Sequence, residues 1–399
     1  MIRRNFFMVF GLLMSALKFG AHAGVKQQHE VEERKRDSLF KTPPYLQNAT
    51  ATGMTIMWST NRPCYSWVEF GKTAELGEKA NTVIDGQISA NNRLNKIRLS
   101  GLKEGAKCFY KVCSRRIVKF GAYKVEWGKT ECSDIFSFET IDPAAEKVTC
   151  VFFNDLHDNH ALYNALGRQI EGLEYDFSVF NGDIYNDPSS ENGVIESLNV
   201  FNKGVGASEK NVIYLRGNHE IRGAYSRCWS QHFDTPESRQ YYAVTRGPIR
   251  FIFMDVGEDK PDSHPAYSGL NDFSSFRTEQ AEWLKHEIKS EAFKKAAFRV
   301  LIHHIPLFGY PKSGWIKLCR EWLPIINKSG IDISIHGHTH KHKVHLPNAD
   351  KGHDFPVIVG GGKKMKDGTV IILKATTKEL KLKMIDSKGL QCGEYTLNA

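Results

Sequence analysis

Five short segments of the sequence combine Asp, Asn and His residues of the kinds that bind metal ions. Each segment follows directly after a short apolar run with the composition of a buried strand. The segments are Asp155-Leu156-His157, Gly182-Asp183, Gly217-Asn218-His219-Glu220, His303-His304 and Gly337-His338-Thr339-His340. Because an α/β domain places its site beyond the carboxyl ends of its strands, these segments are predicted to converge.

Asp183 is the candidate to bridge two metal ions. Two adjacent dications need N and O ligands with a position left open for water or substrate, and a shared carboxylate offsets the repulsion between them. Gly182, which directly precedes it, lets the backbone approach closely. Asp155 and His157 alternate across one residue, so in an extended segment both would point to the same side.

The other candidates complete two ligand sets. His338 and His340 alternate across Thr339 in the same way, Asn218 offers a carbonyl oxygen, and His303 offers an imidazole nitrogen. Singly, each segment is a weak signal, because a histidine at a strand end is more often a polar residue with a satisfied hydrogen bond. All five in this order at strand ends predict a dinuclear metal site.

Residues 143–399 have the pattern of an α/β domain that would position these segments. Strands are predicted at KVTCVFF, DFSVF, NVIYL, IRFIFMDV, FRVLI and DISI. Helices are predicted at ALYNALGRQIEGL, at TEQAEWLKHEIKSEAF with Thr278 as N-cap, and at GWIKLCREWLPIINK with a kink at Pro324. The tail from Phe355 to Leu397 returns to β runs, and Gly360-Gly361-Gly362 is predicted to form a flexible turn.

Residues 41–142 have a different pattern, which predicts a β-sandwich of about 100 residues. Short alternating runs separated by turn residues appear at MTIMWST, YSWVEFG, NKIRLSGL, KCFYKVCS and DIFSFET. Trp58 is the predicted core tryptophan. Gly105 and Tyr110 have the spacing of a tyrosine corner.

The first 23 residues are predicted to be a cleaved signal peptide, with a basic start, an apolar stretch and the cleavage site Ala21-His22-Ala23. Residues 24–40 form a polar leader, and the mature protein is predicted to be secreted or periplasmic. No later segment is long and apolar enough to span a bilayer. The formal charge of +9 is spread along the chain and indicates no specific nucleic-acid site. Export permits disulfides among the eight cysteines, whose pairing the spacing does not determine.

The order D-x-H, G-D, G-N-H-[DE], H and G-H-x-H resembles the calcineurin-like metallophosphoesterase superfamily. The stretch TPPYLQNATATGMTIMWST is similar to the fibronectin-III-like N-terminal domain of purple acid phosphatases. The resemblance covers nearly all of the mature chain. It implies that the β-sandwich is followed by an α/β/β/α sandwich with a dinuclear site.

The resemblance also implies a role for each candidate residue. One metal would be held by Asp155, His157, Asp183 and His340, and the second by Asp183, Asn218, His303 and His338. His219 would contact the phosphoryl group or help to protonate the leaving group, and His304 is a second candidate for that role.

Two positions depart from the purple acid phosphatase pattern. Asn186 stands where those enzymes carry a tyrosine, Tyr185 is one position short, and they usually lack a histidine at the place of His157. These departures argue against a charge-transfer tyrosine and favour a general metallophosphoesterase site. Its metals could be Fe, Zn or Mn, because the ligand types do not choose among them.

The expected function is hydrolysis of small phosphate monoesters by a metal-bound hydroxide. A phosphodiesterase or nucleotide hydrolase would use the same metals, and a non-catalytic binding module would be expected to lack some ligands. The segments Arg222–Ser226 and Gly257–Phe273 are predicted to decide substrate fit. The oligomeric state is not predicted.

Overall fold

In the computed structural model, residues 38–310 and 312–399 are described. The predicted signal peptide and residues 24–37 of the predicted leader lie outside this range.

The N-terminal region is built from nine strands. They are β1 (Tyr45–Thr50), β2 (Gly53–Gly71), β3 (Glu78–Ala80), β4 (Val83–Ile84), β5 (Gln87–Ile88), β6 (Ala90–Ser100), β7 (Lys107–Phe120), β8 (Val125–Cys132) and β9 (Phe136–Glu139). Two of the predicted strands, MTIMWST and YSWVEFG, are halves of the single strand β2. Its first half pairs with β1 and β6, and its second half pairs with β7.

Trp58 is fully buried in a core that belongs to this region, and its indole nitrogen donates to Ser114 Oγ at 3.0 Å. The predicted tyrosine corner is wrong. The hydroxyl of Tyr110 does not return to nearby backbone but donates to the carbonyl of Ser208, 2.6 Å away in the α/β region. One disulfide is found among the described residues, and it joins Cys113 on β7 to Cys132 on β8.

The remaining elements alternate between strands and helices up to residue 336 and then return to strands. In chain order they are β10 (Lys147–Phe153), α1 (His160–Gly167), β11 (Phe177–Asn181), α2 (Glu191–Gly204), β12 (Asn211–Leu215), α3 (Ser226–Trp229), β13 (Tyr242–Arg246), β14 (Ile249–Phe253), α4 (Phe273–Glu287), α5 (Glu291–Lys295), β15 (Phe298–Ile302), α6 (Leu323–Ile326), β16 (Ile333–His336), β17 (Lys343–His345), β18 (Val357–Val359), β19 (Thr369–Thr376), β20 (Glu379–Asp386) and β21 (Gln391–Asn398).

The helices differ from the predicted ones in several places. The helix predicted at residues 161–173 ends at Gly167 and continues as a 3₁₀ turn, and the one predicted at residues 278–293 is divided into α4 and α5. Helix α4 begins five residues before Thr278, because the side chain of Asp272 caps it by accepting from Ser275 N. Helix α2, capped by Ser190, was not predicted. The third predicted helix is a 3₁₀ turn followed by the short α6, with Pro324 in the first turn, where a missing N–H costs little.

Two sheets pack face to face between two helical layers. The larger has the strand order β21-β20-β19-β10-β11-β12-β1-β2-β7-β8, and the smaller has the order β13-β14-β15-β16-β18-β17. Residues such as Phe152 on β10 and Val300 on β15 meet in the core between the sheets. Helices α1 and α2 cover the outer face of the larger sheet, and α4 to α6 cover that of the smaller. This is a mixed α/β fold with parallel strands at the centre of both sheets.

The N-terminal strands continue the larger sheet. Strand β1 lies parallel to β12, with Leu46 opposite Asn211. Gln47 Nε2 donates to Val212 O at 2.7 Å, and Tyr45 Oη donates to His232 O at 2.8 Å. The predicted division at residue 142 falls between β9 and β10 and stays a prediction. Among the described residues, no helix is long and apolar enough to cross a membrane.

Candidate metal centre

The loops that follow β10, β11, β12, β15 and β16 meet at one edge of the two packed sheets. They bring together two groups of side chains whose ligand atoms lie within 4.8 Å of one another in each group. The first group is Asp155, His157, Asp183 and His340, and the second is Asp183, His304 and His338. Asp183 belongs to both groups, in the position predicted for the bridging carboxylate.

The first group is tightly packed. The Nε2 atoms of His157 and His340 lie 3.1 Å apart. His157 Nε2 is 3.7 Å from Asp183 Oδ2, and His340 Nε2 is 3.4 Å from Asp155 Oδ1. A hydrogen bond holds the carboxylate of Asp155 in place, because it accepts from the backbone N–H of His338 at 2.9 Å. All four predicted ligands of the first metal therefore lie together.

The backbone that carries these ligands is not extended, contrary to expectation. Asp155, His157, Asp183, His338 and His340 all have positive φ, between 47° and 71°. Residues with a Cβ adopt this left-handed region at a cost of about 1–3 kcal/mol each. The side chains converge because the chain turns sharply at the strand ends and not because it alternates.

The second group contains His304, and the prediction of His303 as a ligand is corrected. On β15, Val300 and Ile302 face the core between the sheets, whereas Leu301 faces the outer core beside α4. His304 continues the inner phase, and its Nε2 lies 3.1 Å from Asp183 Oδ2. His304 is thus placed among the metal-ligand candidates and not in the catalytic role predicted for it.

His303 continues the outer phase of β15. Its Nδ1 lies 2.8 Å from the carbonyl of Ile305, and its ring packs against His336 at a centroid distance of 4.2 Å. Both rings are fully buried, and burial lowers the pKa of His303 to about 3. They are neutral core residues on the far side of the smaller sheet.

Asn218, which is predicted as a ligand of the second metal, contacts a member of the second group. It is buried, and its Oδ1 lies 2.9 Å from Nδ1 of His338. The two potential ligand atoms thus face one another beside Asp183. His338 also approaches Asp259, with 3.8 Å between Nε2 and Oδ2.

The carboxylates and imidazoles shift one another's protonation. Burial raises the pKa of Asp155 to about 7. Burial also opposes ionisation of Asp183, but the neighbouring positive charge of His304 outweighs it and holds the pKa of Asp183 well below its usual range. Burial disfavours the cation of His304 too, yet the charges of Asp183 and Asp155 raise its pKa to about 10.

The donor set fits two metal ions. Burial lowers the pKa of His157 to about 3 and that of His338 to about 4, so both rings present a lone pair at neutral pH. The buried Nε2 of His304 lies close to Asp183 without the direction of a hydrogen bond. This nitrogen would bind a cation after losing its proton, since metal binding releases protons from its ligands. The mixture of N and O donors does not choose among Fe, Zn and Mn.

His219 lies at the edge of the centre. Its ring packs edge-on against His157, with centroids 4.5 Å apart, and its Nδ1 contacts the carbonyl of Asn186. Since that carbonyl can only accept, Nδ1 carries the proton, and Nε2 is left facing the centre, 4.0 Å from Asp183 Oδ2. Tyr185 is absent from the centre: it is buried in the core, with its ring 6.4 Å from that of Trp229.

Two further features support the centre, and one of them is Glu220, which its place after His219 predicts to be a structural residue and not a ligand. Glu220, fully buried, accepts backbone N–H groups of Asp183 at 2.9 Å, Ile184 at 2.8 Å and Gly217 at 2.7 Å, and so ties two ligand loops together. The predicted flexible turn at Gly360–Gly362 packs tightly, since a Cβ on Gly362 would lie 2.1 Å from Asp155 Cβ. The sequence signal for Glu220 was its place directly after Asn218 and His219.

Comparison with known proteins defines the class. Residues 148–342 match the family model of the calcineurin-like phosphoesterases. The chain therefore contains a calcineurin-like metallophosphoesterase domain and is a metal-dependent phosphoric ester hydrolase. No curated protein matches the chain.

Two solved structures share the fold over most of their length. Purple acid phosphatase PPD1 from yellow lupin (Lupinus luteus) seeds is 15% identical, with a TM-score of 0.65 over 89% of this chain and 74% of that one. PhoD is 11% identical, with a TM-score of 0.61 over 91% of this chain and 90% of that one. At these identities the likeness shows the fold alone.

Proposed function

We propose that this chain is an exported hydrolase of small phosphate monoesters that uses two metal ions. The observation that carries the proposal is the place of Asp183, whose carboxylate belongs to both groups of ligand atoms. A shared carboxylate is what two adjacent cations require, and it separates this site from a single structural metal site.

The ligand candidates form two sets, one for each metal ion. Asp155, His157 and His340 would hold one ion, Asn218, His304 and His338 the other, and Asp183 both. Two bound ions would supply Lewis acidity toward the phosphoryl oxygens and a water of lowered pKa.

His219 has a separate task, because it lies at the edge of the ligand groups. With its Nδ1 proton fixed by Asn186 O, His219 would take up a second proton at Nε2 and donate it to the leaving oxygen of the substrate, and in that protonated form Nε2 no longer accepts from Arg222. Such a donation typically contributes about 10²–10⁴-fold to the rate.

Three observations support the finer parts of the proposal. The lupin protein of similar fold is named a phosphatase, which favours a monoester. Tyr185 is buried away from the ligands, which fits a centre without a coordinating tyrosine. The Cys113–Cys132 disulfide is typical of proteins in oxidising compartments and agrees with the predicted signal peptide.

We also propose that residues 41–142 form a fibronectin-III-like sandwich, for which the separate core around Trp58 is the support.

A panel assay tests the function. The mature protein, freed of metal with a chelator, would be reloaded with Mn, Zn or Fe and given an aryl phosphate monoester, an aryl diester and nucleotides. We expect metal-dependent turnover that is fastest with the monoester and is lost in Asp183→Asn. Faster turnover of the diester or of nucleotides would establish the alternative hydrolase. Absence of turnover with metal bound would overturn the proposed catalytic function.

A separate experiment tests export: N-terminal sequencing of the exported protein would show whether the chain is cleaved after Ala23.

A further inference from the structure

A guanidinium group lies at the rim of the candidate metal centre, on the segment that follows β12. Arg222 Nη1 is 3.2 Å from Nε2 of His219. That nitrogen faces Asp183, so the cation lies beside the shared carboxylate and beside the residue placed next to the leaving group. None of the metal-ligand assignments above uses it.

A buried carboxylate fixes the orientation of this guanidinium. Nε and Nη2 of Arg222 donate to the two oxygens of Glu258, at 3.1 Å and 3.0 Å. Glu258 is fully buried on the segment between β14 and α4. That segment is anchored to α4 by Arg277, whose guanidinium donates to the carbonyls of Val256 and Glu258, both at 2.8 Å. Arg222 is therefore held by a rigid, two-pronged contact.

The held guanidinium still has donors to offer. An arginine has five N–H groups. Three of them are directed at Glu258 and His219, and the part of the chain that the structure describes provides no hydrogen-bond acceptor for the other two. The nearby carboxylate of Asp259, 3.8 Å from Nη2, is paired with Lys260 at 2.5 Å. Glu258 thus balances the charge of Arg222, but two oriented N–H donors of the guanidinium remain for a ligand.

We propose that Arg222 is a phosphoryl-binding residue that makes this centre prefer the dianionic group of a phosphate monoester over a diester. A monoester presents one more unesterified oxygen and one more negative charge than a diester, and planar guanidinium donors bind such oxygens in charge-assisted pairs. Glu258 acts as a positioning residue for Arg222. The proposal rests on the proposed function and names the substrate feature that the site recognises.

The test compares Arg222→Gln, Arg222→Lys and Glu258→Gln with the wild-type protein, each metal-loaded. The matched control is Arg227→Gln, because Arg227 lies five residues further on, in α3, and donates to the carbonyls of Ile221 and Leu270. The measurements are kcat and KM for an aryl phosphate monoester and an aryl diester, the inhibition constant of inorganic phosphate, and the metal content of each protein.

We expect Arg222→Gln to weaken phosphate inhibition by about 10–100-fold and to lower kcat/KM for the monoester by a similar factor, mostly through KM. The diester should change by less than about 3-fold, and metal content should not change. Arg222→Lys should recover part of the loss, since a lysine keeps the charge without the fork. Glu258→Gln should weaken phosphate inhibition, although it removes no contact to the ligand.

Failure of this proposal is distinct from failure of the proposed function. Equal phosphate inhibition in wild type and Arg222→Gln, with monoesters hydrolysed by both, would overturn only the role of Arg222. Equal losses for monoester and diester would overturn the selectivity. If the wild-type protein hydrolyses no ester, phosphate binding by calorimetry still decides: binding lost in Arg222→Gln upholds the residue's role, and binding retained overturns it.

Discussion

His304 Nε2 lies 3.1 Å from Oδ2 of Asp183, although the chain brings these residues together from different sheets. The contact joins the loop after β15 to the loop after β11. Gly182 makes the approach possible, since a Cβ there would lie 2.6 Å from the ring of His304.

The adjacent histidines of the β15 loop should differ sharply when mutated. His304→Ala should lose one metal ion per chain and at least about 100-fold in activity, because even the partners of metal ligands contribute 10–100-fold. His303→Ala should keep both ions, since its ring lies beyond the smaller sheet. Metal analysis of the dialysed proteins, with activity in parallel, checks both expectations. Loss of metal from His303→Ala alone would restore the original assignment.

The shared carboxylate should matter more than the unshared one. Asp183→Asn should release both ions, whereas Asp155→Asn, which alters only the first group, should release one. The measurement is metal stoichiometry against chelator concentration. Two ions retained by Asp183→Asn with near-normal activity would contradict the bridging role.

Glu220→Gln should destabilise the protein although it replaces none of the metal-ligand candidates. An amide group would turn N–H donors toward the N–H groups of Asp183 and Gly217, leaving buried donors unsatisfied. The free energy of unfolding should fall by about 2–5 kcal/mol. Urea unfolding measures it, with Glu196→Gln on the exposed side of α2 as control. Equal free energies of unfolding for the two variants would show that the hydrogen bonds of Glu220 to the two ligand loops do not stabilise the protein.

His232 should make the protein less stable in acid. Its ring is buried, and burial lowers its pKa to about 4 from an ordinary 6.5. Between these values the unfolded chain binds a proton that the folded chain does not, so stability falls as pH falls from 6.5 to 4. The contribution should reach about 3 kcal/mol.

The measurement for His232 is urea unfolding of metal-free wild type and His232→Asn from pH 7.5 to 4.5. The variant should lose less stability over this interval, because the other buried histidines contribute equally to both proteins. Parallel curves would exclude His232 as the source.

The sequence predicted most of the sheet and most of the site, because its buried strands are short apolar runs with ligand-type residues at their ends. KVTCVFF, NVIYL and FRVLI are strands over the predicted residues. The choice between His303 and His304 failed for a physical reason. Both faces of β15 are buried, so apolar residues occupy both phases, and only the half-buried Arg299 marks the outer one.

Long-range contacts explain the other failures. The left-handed turns at the ligands require support from neighbouring loops, as at Asp155, which His338 N and Gly362 enclose. The hydroxyl of Tyr110 finds its acceptor at Ser208, a residue 98 positions away. Local spacing carries no information about such partners. Helix α2 was missed although its N-cap and apolar spacing were visible.

The parallel pairing of β1 with β12 limits where this chain can be truncated. A protein cut at residue 143 would leave β12 as an open edge and would remove Tyr45 and Met57 from the core under α1 and α2. Open edges of central strands pair with other chains and aggregate. The N-terminal strands therefore support the sheet that carries the metal centre, and we expect both halves of the chain to unfold together in one transition.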